Sequence, residues 1–118
     1  MPILEITSQR SPKDLNAFLK KLSSVFAEHI GKPESYCLVT FVRVDQLYFA
    51  GTPDAGFIAK VGSIGHIDRE RNARLTAAIT AEMKRELGVS DDRGYFLFTD
   101  FPSDNIGFKS TSFSDLIR

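Results

Sequence analysis

The sequence predicts an α+β domain: two βαβ-type units fused into a four-stranded sheet, with two antiparallel helices packed on one face. Three observations lead there. Apolar residues in steps of three and four mark two amphipathic helices, each flanked by short runs rich in β-branched and aromatic residues. The order strand, helix, strand occurs twice, in halves that match in length and architecture but not residue by residue. The chain has 118 residues, and dividing them would leave pieces too small to hold a core, so a single domain is expected.

The first element is the apolar run Pro2-Ile3-Leu4-Glu5-Ile6. Ser11-Pro12-Lys13-Asp14 then reads as a helix start. Serine can cap, proline suits the first helical position, and Asp14 stands where a capping-box acid belongs. Leu15, Phe18, Leu19, Leu22, Val25, Phe26 and Ile30 line one face of that helix, which should end near Gly31-Lys32-Pro33. Tyr36 to Val44 is nearly all apolar and predicts a buried strand. Gln46 to Ala50 predicts a shorter strand, closed by the turn-forming Gly51-Thr52-Pro53-Asp54. Phe57 to Ile64 predicts another, stopping at Gly65. The second helix should start near Asp68, carry Leu75, Ala78, Ile79, Met83 and Leu87, and stop at Gly88. Tyr95 to Phe101 completes the second unit, and Asn105 to Phe113 predicts short terminal pairings. Nothing along the chain reads as a linker or as low complexity.

Composition removes several classes of function. Fifteen basic residues balance fifteen acidic ones, so the basic footprint of a nucleic-acid binder is missing. One cysteine, Cys37, allows no internal disulfide and is compatible with a reducing compartment. No apolar run approaches the ~18 residues of a membrane span, so no membrane association is expected. A basic segment followed by an apolar one, as in a signal peptide, is also missing at the start. The expected address is the cytosol, and an extracellular role would need secretion without a signal peptide. Ten phenylalanines exceed what one small core can hide, which predicts that several pack against partner subunits.

Motifs for phosphate cradling (GxxxxGK[ST]), dinucleotide binding (GxGxxG) and a nucleophile elbow (GxSxG) are absent. His29 and His66 lack zinc-site spacing, so no metal and no cofactor is expected. His29, beside the apolar stripe of the first helix, reads as packed or surface. His66, after Gly65 in a loop, reads as exposed or lining a pocket. Asp68, Arg69, Glu70, Arg71 and Arg74 read as a solvated helix face held by local pairs. Cys37 in its strand reads as an inert core thiol.

Pro2 has a bland reading and a chemical one. It can simply license removal of Met1 or start an edge strand. Once Met1 is removed, however, Pro2 becomes a secondary amine at the head of an apolar run. An α-amine titrates near 7.7 to 8, and burial against apolar neighbours lowers that value. A neutral amine held by a rigid ring is a usable general base. A chain that keeps Met1 leaves a tertiary amide at that nitrogen, and it should fold without catalysing anything.

Pro2 stands in the same chain as Gly31-Lys32-Pro33-Glu34-Ser35-Tyr36, Asp45-Gln46-Leu47, Ser63-Ile64-Gly65, Asp92-Arg93-Gly94-Tyr95, Asn105-Ile106-Gly107-Phe108 and Ser110-Thr111-Ser112-Phe113. In that order and spacing these motifs resemble the macrophage migration inhibitory factor family, which includes D-dopachrome tautomerase and belongs to the tautomerase superfamily. The resemblance covers Pro2 to Phe113 with single-residue gaps. It implies a symmetric homotrimer with active sites at the subunit boundaries. It further implies Pro2 as catalytic base, Lys32 as the cation for a substrate carboxylate, and the Ile64 N–H beside that group. Tyr95 would come from a neighbouring subunit, and Tyr36, Ile106 and Phe113 would form the aromatic and apolar wall. The implied reaction is keto–enol tautomerisation of small aromatic α-keto acids such as phenylpyruvate, and of dopachrome-like compounds. The resemblance also implies a cytokine-like ligand acting on a cell-surface receptor. A trimeric binder of small aromatic acids with vestigial catalysis is a third reading.

The chain departs from the family pattern in places. Leu97 stands where the mammalian cytokine has an asparagine, removing a polar contact to substrate. The family's thiol-active CxxC is replaced by Gly56-Phe57-Ile58-Ala59, which excludes that oxidoreductase activity. Gly62 precedes the Ser-Ile-Gly motif and is expected to open the pocket. Ser114-Asp115-Leu116-Ile117-Arg118 extends past the usual end, either folding over a neighbour or hanging free.

Overall fold

Alternation within the first strand sets the sheet. Leu4, Ile6 and Ser8 are fully buried, while Glu5 between them is exposed, the period-two pattern of a strand covered on one side. In the computed structural model, which describes residues 1–117, this strand is β1 (Ile3–Ser8). The remaining major elements are α1 (Leu15–Ile30), β2 (Leu38–Arg43), β3 (Phe57–Ser63), α2 (Arg69–Leu87) and β4 (Gly94–Asp100). The sheet order is β2-β1-β3-β4. β1 runs parallel to β2 and antiparallel to β3, and β3 runs parallel to β4. Each parallel pair is joined by a helix, so the two βαβ units meet along β1 and β3. Phe18, Leu22, Phe26 and Ile30 of α1 share one core with Leu75, Ile79 and Met83 of α2 and with Leu4, Ile6, Phe57, Ala59 and Val61 of the sheet. The expected α+β architecture is borne out.

The opposite face of the sheet carries no helix. Leu38, Val42, Tyr95 and Leu97 are each more than half exposed there. For β2 this corrects the expectation of a buried strand over Tyr36 to Val44. The strand is shorter and lies at the sheet edge, and Glu34–Tyr36 forms a single 3-10 turn ahead of it. Cys37 precedes the strand, half-buried against the margin of the core, with its thiol 3.6 Å from the Pro33 carbonyl oxygen.

Helix α1 starts later than Ser11-Pro12 suggested. Asp14 is extended, and its carboxylate accepts from the Ala17 N–H at 3.1 Å, so the acid itself is the N-cap. The far end closes where expected. Gly31 adopts φ +73, and the N–H groups of Gly31 and Lys32 both donate to the Ala27 carbonyl. Helix α2 has the same plan, with Asp68 capping and Gly88 at φ +65.

Gln46 to Ala50 is not a strand; one isolated bridge, Phe49 to Thr52, is all that forms. Two side chains hold this segment and the turn after it instead. The Gln9 amide donates to Leu47, Pro53 and Asp54, and the Arg93 guanidinium donates to Thr52, Asp54 and Ala55. At the C-terminus a small hairpin pairs β5 (Gly107–Phe108) with β6 (Thr111–Ser112). A short helix, α3 (Phe113–Ile117), follows and was not anticipated. The Asp115 N–H donates to the Ser112 hydroxyl, and the Thr111 hydroxyl donates to the Asp115 carboxylate, so the extension is capped and folded. Arg118 lies outside the described residues.

Candidate active site

Pro2 is fully buried at the head of β1, and its carbonyl accepts from the Leu38 N–H at 3.0 Å. Because Ile3 lies opposite Gly62, Pro2 faces the end of β3, next to Ile64. Lys32 follows the left-handed Gly31 that stops α1, which turns its side chain back across the sheet end. Its Nζ donates to the Ile64 carbonyl at 2.5 Å. Three of the sequence-predicted residues, Pro2, Lys32 and Ile64, are thus brought together by three separate elements.

Beside them is a cavity of about 210 Å³, lined by Met1, Pro2, Ile3, Tyr36, Leu38, Ile106, Gly107 and Phe108. Tyr36 and Ile106 therefore stand in its wall. Phe113 supports it from behind: its N–H donates to the Ile106 carbonyl at 2.7 Å, and its ring stacks on Phe108 at 6.0 Å. Phe108 is the residue that sequence reasoning left without a role. It meets Tyr36 edge-on at 6.5 Å and joins the aromatic wall into one unit. The signal was available, an aromatic closing the Asn105-Ile106-Gly107-Phe108 motif.

Tyr95 is not part of this cavity. It pairs with Ile58, which lies opposite Thr7, five residues along β1 from Pro2. At ~3.3 Å per residue, that is roughly 17 Å away along the strand. Tyr95 is 67% exposed and sits 5.2 Å from Phe49 in a second, wider concavity of about 510 Å³. Leu97, two residues on, is exposed on the same open face and offers no polar contact. Gly62 does not widen the pocket. A Cβ there would fall 2.5 Å from the Phe101 ring, which fills the space.

The electrostatics favour a neutral amine. Burial, and then the positive charge of Lys32, hold the Met1 α-amine below its ordinary 8.0. Burial likewise lowers Lys32, against the pull of Asp100. Burial and the nearby Glu34 carboxylate raise the Cys37 thiol, which makes it a poor nucleophile. His66 is neither exposed nor in the cavity wall. At φ +61 its Nδ1 lies 2.8 Å from the Ile30 carbonyl, where it closes the end of α1. His29 lies 2.8 Å from the Val25 carbonyl, in keeping with a packed or surface role. Arg71 with Asp68 and Arg74 with Glu70 form the local pairs expected on the face of α2. Among the described residues no group of three His, Cys, Asp or Glu could hold a metal, and no helix is long and apolar enough to cross a membrane.

The arrangement can seat a small flat molecule against an aromatic wall, with a carboxylate at Lys32 and an amine at its floor. Comparison with known proteins identifies the family. The family model for macrophage migration inhibitory factor matches residues 1–114. The MIF-like protein mif-2 of Caenorhabditis elegans is 29% identical, the match covering 98% of this chain and 97% of that protein. The macrophage migration inhibitory factor homologue of Prochlorococcus marinus superimposes with a TM-score of 0.89 at 28% identity, over 94% of this chain and 98% of the other. The corresponding protein of Toxoplasma gondii gives 0.87 at 28% identity, over 93% and 98%. With its paired βαβ units and Pro2 at the head of the first strand, the chain belongs to the macrophage migration inhibitory factor family of the tautomerase superfamily.

Proposed function

We propose that the protein, once Met1 is removed, is a keto–enol tautomerase of small aromatic α-keto acids. Phenylpyruvate is the prototype substrate, and dopachrome-like compounds are a further class. The observation that carries this reading is the burial of Pro2 in the wall of an apolar cavity, with the Lys32 charge close enough to act on the adjoining α-amine. Lysine has three N–H donors. One is given to Ile64, which leaves two for the substrate carboxylate. The ring of the substrate would lie against Tyr36, Ile106 and Phe108. The Pro2 amine takes a proton from the carbon next to the keto group, the electron pair moves to the carbonyl oxygen, and that oxygen receives the proton to give the enol.

The distance of Tyr95 from Pro2 supports a composite site, in which a neighbouring subunit of a homotrimer supplies Tyr95. The large apolar side chains exposed on the open face of the sheet support the same assembly. The relatives' names support a second reading, a cytokine-like ligand. An intact-mass measurement with a phenylpyruvate enolisation assay tests the enzymatic reading. Turnover by the chain lacking Met1, and none by the chain retaining it, is the expected result. Equal activity of the two forms would overturn it.

A further inference from the structure

The hairpin beside the cavity turns through Lys109 and Ser110, both with positive φ, at +52 and +66. Two-residue turns of this kind favour Asn-Gly, because L side chains other than Asn and Asp rarely adopt that conformation. Neither residue here suits it. The turn nevertheless carries the Lys109 ammonium back over the Phe108 ring, 5.7 Å from its centre. That ring is part of the cavity wall. Among the described residues Lys109 has no carboxylate within ion-pair distance.

Two cations therefore stand near the cavity: Lys32, whose charge reaches the Met1 amine, and Lys109, over the Phe108 ring of the wall. We propose that Lys109 is a second anion-recognising residue, and that the site favours α-keto acids whose aromatic end carries a further negative group. A singly charged acid would use only Lys32. The proposal rests on the tautomerase reading of the cavity, which it deepens by naming the substrate class.

Two probes differing by one charge test it: phenylpyruvate and 4-carboxyphenylpyruvate. An exposed ion pair of this kind changes affinity by roughly two- to fivefold. The dicarboxylate should show a KM lower by that factor at low salt, with kcat little different, and the advantage should shrink at high salt. Lys109→Asn removes the charge with a residue that tolerates positive φ, and should bring the KM ratio to about one. Lys109→Arg should retain the preference. A ratio near one in the unmodified protein, or a ratio indifferent to Lys109→Asn, overturns the proposal. Calorimetry of both acids with the chain that retains Met1 reads the same preference without turnover. A preference in binding with no turnover after Met1 removal would sink the tautomerase reading and leave the role of Lys109 standing.

Discussion

Lys32 and Ile64 are joined across 32 positions of sequence by a hydrogen bond of 2.5 Å from the ammonium to the backbone carbonyl. The bond fixes a flexible side chain close to the chain's N-terminus, where its charge acts on the α-amine, so the cation is in place before any substrate arrives. Such preorganisation is what a carboxylate-binding lysine needs, since a freely rotating side chain would lose its conformational entropy on binding.

Replacing Lys32 with alanine should therefore raise KM for phenylpyruvate, while an ester of the same acid is affected much less. A charge-assisted hydrogen bond contributes roughly 1.5 to 3 kcal/mol, which corresponds to about tenfold or more in affinity. Steady-state kinetics on acid and ester check this. Equal losses on both would remove Lys32 from carboxylate recognition.

The pH dependence follows from burial of the amine. Burial and Lys32 hold the Met1 amine below 8.0, and the Pro2 amine freed by loss of Met1, being fully buried, should be held down by the same causes and act as a base from lower pH. The pH profile of kcat/KM should have a rising limb clearly below 8.0. Removing the Lys32 charge, which also depresses the amine, should move that limb upward in Lys32→Ala. Pro2→Gly keeps a free amine but loses the rigid ring, so activity should drop strongly without vanishing.

Assembly should show in solution as about three times the 13.2 kDa chain mass by light scattering. Leu97→Glu places a charge on the apolar open face of the sheet, where Leu97 is 51% exposed in the single chain. Burying an unpaired carboxylate between subunits is costly, so this variant should run as a smaller species and lose turnover with it. A Leu97→Glu protein that stays trimeric would place the subunit contact elsewhere.

Gly94 supports the core by having no side chain. A Cβ there would collide with the ring of Phe57, which is only 3% exposed. Gly94→Ala should therefore destabilise the fold by about 1 to 3 kcal/mol, the usual cost of overpacking. Denaturant titration measures it. An unchanged midpoint would mean that the Phe57 ring can turn aside.

What could be read in the sequence was what local chemistry encodes. The apolar stripes of both helices, the caps at Asp68, Gly31 and Gly88, and the strand at Phe57 were all visible in residue spacing. The grouping of Pro2 with Lys32 and Ile64 rested on the motifs of a resembling family. No spacing rule predicts a contact between residues that far apart. Ser11-Pro12 misled because a good capping pair preceded a better one, and the Asp14 carboxylate won the free N–H groups of α1. Gln46 to Ala50 looked like a strand because its own residues favour one. Gln9, distant in sequence, claims the Leu47 carbonyl, and Gln9 and Arg93 together hold the turn that follows. The C-terminal helix was foreshadowed by Ser112 and Asp115 in capping-box spacing, a signal masked by the shortness of the segment.

The closure of α1 at Gly31 also makes the length of that helix a functional quantity. Each helical residue adds about 1.5 Å and turns the chain by about 100°. Between the Asp14 cap and the Gly31 stop, one inserted or deleted residue would swing Lys32 away from Ile64, even if every apolar contact could be rebuilt. Substitutions on the exposed side of α1 should be absorbed cheaply, whereas a change in residue count should disarm the site in a protein that still folds. The helix acts as a ruler for the position of a charge.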